Sequence, residues 1–191
     1  MRIISGRAKG TKLLTLDGLN TRPTAERTKE AIFSMLRFEL EGRAVLDLFA
    51  GSGQMGLEAV SCGAASAVLC DKEREAVSVI SKNVEKTRLQ DQCTVVCADY
   101  AECIRRMANL EKQFDLIFLD PPYASTMIRD ALDALKRTSL IKPTTLIVCE
   151  SGTPNPIEDS PSLSDAFDTV KQSRYGVAYV TILTPKKEDA E

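Results

Sequence analysis

The sequence predicts an α/β fold: a mostly parallel sheet covered by helices on both faces, with a small hairpin and helix appended at the N-terminus. Three observations carry this. From residue 44 onward, short apolar runs alternate with stretches of helical periodicity. Several of the runs are continuously apolar rather than alternating, as strands buried on both faces are. The first run leads into Gly51-Ser52-Gly53-Gln54-Met55-Gly56, a glycine-rich turn that opens a helix.

Taken in order, Arg2-Ile3-Ile4 and Lys12-Leu13-Leu14-Thr15-Leu16 are separated by Gly6 and Gly10 and can pair as a hairpin. Residues 1–22 are thus expected to form a basic arm. Arg22-Pro23-Thr24 breaks the chain, and Thr24 is suited to cap the helix that follows. Over 25–38, Ala25, Thr28, Ile32, Met35 and Leu36 fall on one helical face. The main domain, 23–185, then offers strands at 44–49, 67–71, 93–98, 114–120 and 145–150. Helices are expected near 55–62, 73–87, 100–110 and 126–137. Pro154, Pro156 and Pro161 mark 151–165 as a loop. Two extended runs, 167–173 and 177–184, join through Arg174-Tyr175-Gly176 as an antiparallel hairpin. The tail 186–191 is expected to be disordered.

A chain of 191 residues has room for one domain with a sizeable core. No apolar run reaches membrane-spanning length, and the first residues lack the apolar core of a signal peptide, so a cytoplasmic protein is expected. There is no histidine, and none of the six cysteines forms a C-x-x-C pair, so neither a metal site nor a His-activated nucleophile is expected. Cys70, Cys97 and Cys149 sit inside apolar runs and read as small buried hydrophobes.

Gly51, Gly53 and Gly56 form G-x-G-x-x-G in a strand–turn–helix setting. Asp71 ends the next strand, 20 residues past Gly51, where a carboxylate can accept from ribose hydroxyls. An adenosine-containing cofactor is therefore expected. Asp47, Asp71, Asp99 and Asp120 stand at four successive strand ends, the edge where such sheets bind ligands. An acidic rim suits the cationic S-adenosylmethionine (SAM) and repels a pyrophosphate. Asp47 can meet the ammonium of its methionine end. Asp99 can accept from the adenine amino group or simply cap a helix, and both readings stand. The candidate cofactor residues are Asp47, Gly51, Gly53, Gly56, Asp71, Asp99 and Tyr100.

Asp120-Pro121-Pro122-Tyr123 follows an apolar strand. Two prolines there make a rigid corner with free carbonyls. A carboxylate, a carbonyl and a flat ring can together hold a planar group bearing an amino nitrogen, so these four are the candidate catalytic residues.

Net charge is −2, but residues 1–29 carry +5 and the remainder −7. Arg2, Arg7, Lys9, Lys12 and Arg22 make this arm a candidate phosphate-facing surface, the alternative being a solvated basic terminus.

Together, Asp47–Gly56, Asp71, Asp99 and Asp120–Tyr123 resemble class I SAM-dependent methyltransferases that modify exocyclic amino groups. Arg2–Gly6, Lys9-Gly10, Lys12-Leu13, Arg22–Thr24 and Ala31–Ser34 narrow the resemblance to the RsmD family, bacterial 16S ribosomal RNA guanine-N2 methyltransferases. Cys62 stands where that family usually has Arg. The resemblance implies a Rossmann-like, seven-stranded sheet with an antiparallel C-terminal strand. It implies SAM as cofactor and 16S rRNA, in the small subunit or its assembly intermediate, as partner. A monomer is expected. Two rivals differ in kind. An adenine-N6 DNA methyltransferase shares the corner but needs a large target-recognition region. A non-catalytic SAM- and RNA-binding module has no use for an intact Asp120 and Tyr123.

Overall fold

The computed structural model describes residues 1–16, 23–36, 39–122 and 126–186, with the backbone alone at 23–26. Seven strands form one sheet: β1 (Ala44–Asp47), β2 (Ser66–Asp71), β3 (Cys93–Cys97), β4 (Phe114–Leu119), β5 (Ile141–Ser151), β6 (Phe167–Tyr175) and β7 (Ala178–Pro185). Their spatial order is β3-β2-β1-β4-β5-β7-β6. The first five are parallel, and β7 runs antiparallel to both β5 and β6. This is the Rossmann-like architecture the sequence predicts, including the reversed C-terminal strand.

Helices α1 (Pro23–Met35), α2 (Gln54–Ser61) and α3 (Arg74–Thr87) cover one face, and α4 (Tyr100–Asn109), α5 (Met127–Leu135) and the short α6 (Pro161–Ser164) cover the other. Strand alternation sorts the core between them. Val45, Leu116, Phe118, Val148 and Val180 face α1–α3; Leu46, Ile117, Ile147 and Leu183 face α4–α6. The chain leaves β1 towards β2 and β3, then returns to lay β4 on the other side of β1. Loops diverge at that reversal, which opens a crevice at the carboxyl ends of β1 and β4.

Several boundaries differ from expectation, and the stretch 151–165, expected as a loop, contains α6. Two of the shifts have a readable cause. β1 stops at Asp47, because the chain turns out of the ladder there and Ala50 N–H donates to Cys70 O at 2.9 Å. β5 begins at Ile141, and its pairing with β4 shifts register between Phe114 and Leu116. Pro143 sits in that irregular stretch, where a missing donor is tolerated. The bulge is held by Thr145 Oγ1, which donates to Phe114 O and accepts from Lys142 N–H.

The hairpin 1–16 is bridged at Arg2 and Lys12 and packs into the core through Ile3, Ala8 and Leu13. Its backbone is also tied down. Ile4 and Ser5 N–H donate to the Glu58 carboxylate, and Ala8 N–H to Ser61 Oγ. Lys29 pairs with Glu58 at 3.2 Å, and the two are 2% and 0% exposed, so the cluster joins hairpin, α1 and α2 away from water. Among the described residues no helix is long and apolar enough to cross a membrane, and no His, Cys, Asp and Glu cluster is placed to hold a metal ion. The five last residues, 187–191, expected to be disordered, lie outside the described residues.

Candidate active site

The glycine turn between β1 and α2 is built from three glycines with separate tasks. Gly51 and Gly53 hold left-handed φ of 55° and 80°, which a side chain would strain. A Cβ on Gly51 would meet nothing within 4 Å, so the turn leaves open space there. Gly56 works by packing: a Cβ would come within 2.1 Å of Leu69 Cδ2, so a side chain here would displace the tip of a buried leucine of β2.

Asp71, at the end of β2, secures this turn. One oxygen accepts from Gly51 N–H and the other from Glu73 N–H, both at 2.9 Å. Each carboxylate oxygen has a second lone pair, so capacity remains for ligand hydroxyls. Asp47 is 1% exposed, and its Oδ2 accepts from Gly56 N–H at 3.2 Å. Its Oδ1 is buried with no hydrogen-bond partner among the described residues. Burial pushes the Asp47 carboxyl up to about 7, the Asp71 charge adds to the rise, and the Gly56 and Phe49 N–H groups oppose it. A cation brought to Oδ1 would relieve this strain. The orphaned acid, the open space at Gly51 and the acid at Asp71 fit a ligand that carries a ribose and an ammonium group.

Asp99 caps α4, its Oδ1 accepting from Glu102 N–H at 2.8 Å, and its side chain is exposed beside the same edge. The cap reading is therefore realised, with the second oxygen left for other use. Tyr100 packs on Phe49 at 5.5 Å between ring centres, which joins the start of α4 to the turn after β1.

Asp120 follows β4 directly. Leu119 pairs with Cys149, so Asp120 emerges beside Glu150 at the end of β5. The surroundings push its carboxyl well above the usual carboxylate range, through desolvation first and then the Glu150 and Asp47 charges. Water reaches the exposed side chain, which tempers the desolvation, but the like charges act in the same direction. Pro121 is buried and Pro122 exposed. Tyr123 and Arg22 lie outside the described residues.

Arg2, Arg7, Lys9 and Lys12 are all exposed, and no described carboxylate forms an ion pair with them. They do not form one cluster. The ends of the hairpin lie by the glycine turn, where Ser52 Oγ approaches Met1 Sδ at 3.3 Å. Its tip lies at the far end of α2, where Arg7 N–H donates to Ser61 O at 2.9 Å. The basic residues therefore run along α2 rather than ringing the crevice. A groove of about 640 Å³ between the hairpin, α1 and Cys62 holds none of the candidate residues.

Sequence reasoning missed Glu58, Asn83 and Glu150. Asn83 accepts from Leu14 N–H and donates to Leu14 O and Ser52 O, tying hairpin to glycine turn. Its signal was available: it lies on the stripe Ala76, Ile80, Val84, a polar residue on an apolar face.

The family model described as "Conserved hypothetical protein 95" matches residues 1–184. Ribosomal RNA small subunit methyltransferase D of Haemophilus influenzae is 30% identical over 158 residues, covering 82% of this chain and 81% of that one. The solved structure of yhhF from Escherichia coli superposes with a TM-score of 0.82 at 26% identity, covering 98% and 99% of the two chains. A conserved hypothetical protein from Streptococcus pyogenes is 34% identical with a TM-score of 0.73, covering 83% and 95%. Matched along nearly its whole length, the chain belongs to the Conserved hypothetical protein 95 family, the RsmD family to which its motifs point.

Proposed function

We propose that the protein transfers a methyl group from SAM to the exocyclic N2 amino group of a guanine in 16S rRNA, in the small subunit or its assembly intermediate. The observation that carries the reading is Asp120: an accessible carboxylate on a proline corner, at the same sheet edge as Asp47 and the open glycine turn. The name of the Haemophilus relative supports an rRNA methyltransferase. The reading includes action as a monomer in the cytoplasm.

SAM supplies an electrophilic methyl on a sulfonium, whose S–C bond breaks as the new N–C bond forms. Asp47 Oδ1 would take its ammonium, Asp71 its ribose hydroxyls, and Asp99 with Tyr100 its adenine side. The guanine N2 lone pair is delocalised into the ring and is a weak nucleophile. Hydrogen bonds from N2 to Asp120 and the Pro121 carbonyl draw the nitrogen towards tetrahedral geometry and free that pair. Holding the reactants in line lowers the barrier by about 7–11 kcal/mol. The N2 proton becomes acidic only as the methyl arrives, and Asp120, whose proton affinity its neighbours raise, receives it. The base reaches this corner by leaving its stack, and Tyr123 stacks on it for about 1–3 kcal/mol.

The test is tritiated methyl transfer from SAM to small subunits from a strain lacking the enzyme, followed by nucleoside analysis. N2-methylguanosine is expected; label in N6-methyladenosine, or in no nucleoside, overturns the reading. Asp120→Ala is expected to lower turnover by about 10²–10⁴-fold with SAM affinity near the wild-type value. Retention of most activity would remove Asp120 from the chemistry.

A further inference from the structure

A proline corner that grips an amino group does not by itself choose a base. Guanine and adenine both carry an exocyclic amine. They differ at the adjacent ring atom, since guanine N1 bears a hydrogen and adenine N1 a lone pair. A guanine-selective pocket therefore needs a second acceptor beside the one that takes the amine, placed so that a lone pair arriving there is repelled.

One residue stands in that position. Phe118 pairs with Val148 and Leu119 with Cys149, so the parallel ladder carries Asp120 and Glu150 out of neighbouring strands side by side. Neighbouring strands lie about 4.8 Å apart. Paired positions share a face, and Asp47, paired with Phe118, is on that face too. Glu150 is half-buried, and its charge is the strongest acting on Asp120. Asp47 Oδ1, which the reading above gives to the SAM ammonium, is buried on the same face without a donor among the described residues, so SAM and base meet one acidic wall. Acceptors concentrated along one wall complement the N1–H and N2–H edge of guanine and oppose the N1 lone pair of adenine.

We propose that Glu150 selects the base, accepting the N1–H of guanine while Asp120 accepts from N2. This rests on the methyl-transfer reading above. Glu150 then acts as a specificity residue that touches substrate without entering the bond changes.

The test uses small subunits reconstituted with 16S RNA in which the target guanosine, first mapped with the wild-type enzyme, is replaced by 2-aminopurine. That base keeps the C2 amine but has an unprotonated N1. Wild-type kcat/KM is expected to fall on the order of 10- to 100-fold on the replacement, the worth of a hydrogen bond to a charged group. Glu150→Gln offers an amide that can donate to the bare N1. Its guanosine-to-2-aminopurine ratio is expected to shrink to within about 3-fold, with SAM affinity unchanged. A purely structural role would slow both substrates equally and leave the ratio at its wild-type value, which overturns the proposal. Should Glu150→Gln fail to bind SAM, the wild-type ratio decides alone, and a value below about 3-fold overturns it. A wild-type enzyme that forms no N2-methylguanosine fails at the earlier step and takes this inference with it, whereas N2-methylguanosine with an unmoved ratio removes Glu150 only.

Discussion

Asp47 shows how one side chain can be set against the stability of its own fold. Its carboxyl is raised in the folded state to about 7, above its ordinary value of 3.8. A raised acid stabilises the fold below its unfolded pKa, and that contribution is lost as pH climbs through the folded value. The ligand-free protein is thus expected to weaken between about pH 4 and pH 7 for this reason. Asp47→Asn removes the titration. It is expected to melt above wild type at pH 8, by about 2–4 kcal/mol of unfolding free energy, and to lose the advantage by pH 4. Thermal or urea unfolding at the two pH values checks this, and calorimetry with SAM should show weakened binding in the same variant. The acid's place beside the glycines was readable in the sequence, because a strand-end Asp before G-x-G is a local pattern. Its missing donor was not, because that depends on what packs around it.

At the level of elements, the sequence showed where strands and helices lie far better than how the hairpin docks. Continuous apolar runs such as Phe114–Leu119 announce buried strands by themselves. The hairpin's hold on α2 joins Ile4 to Glu58 across 54 positions, and no local pattern encodes such a contact. Glu150 escaped notice for the same reason: only the pairing of β4 with β5 brings it to Asp120. The Glu58 cluster makes the hairpin a structural part of the domain. Glu58→Gln removes the carboxylate that balances the buried Lys29 charge and is expected to cost about 3–5 kcal/mol in urea unfolding. Removing the hairpin would strip Ile3 and Leu13 from the core. Truncation is consequently a poor probe of RNA binding.

For the whole molecule, a body of −7 carries a terminus of +5, and the exposed Arg2, Arg7, Lys9 and Lys12 extend from the glycine turn to the far end of α2. Replacing these four with serine leaves the docked backbone intact and tests the surface alone. Affinity for the subunit is expected to drop, and the slope of log affinity against log salt to flatten by about 0.7–0.9 per lost phosphate contact. SAM affinity should hold. An unchanged slope would show that the positive stripe faces solvent and that RNA is gripped elsewhere.

A single buried amide, that of Asn83, ties terminus to glycine turn and links the site to chemical ageing. Its amide spends both hydrogens on carbonyls, one of Leu14 and one of Ser52, and its oxygen on Leu14 N–H. Hydrolysis of that amide, or the substitution Asn83→Asp that mimics it, alters the volume hardly at all. It nonetheless exchanges two donors for an oxygen that faces two oxygens. The seam between terminus and glycine turn would open from inside, and SAM affinity and melting temperature should decline together in Asn83→Asp, a paired loss that calorimetry and thermal unfolding can read.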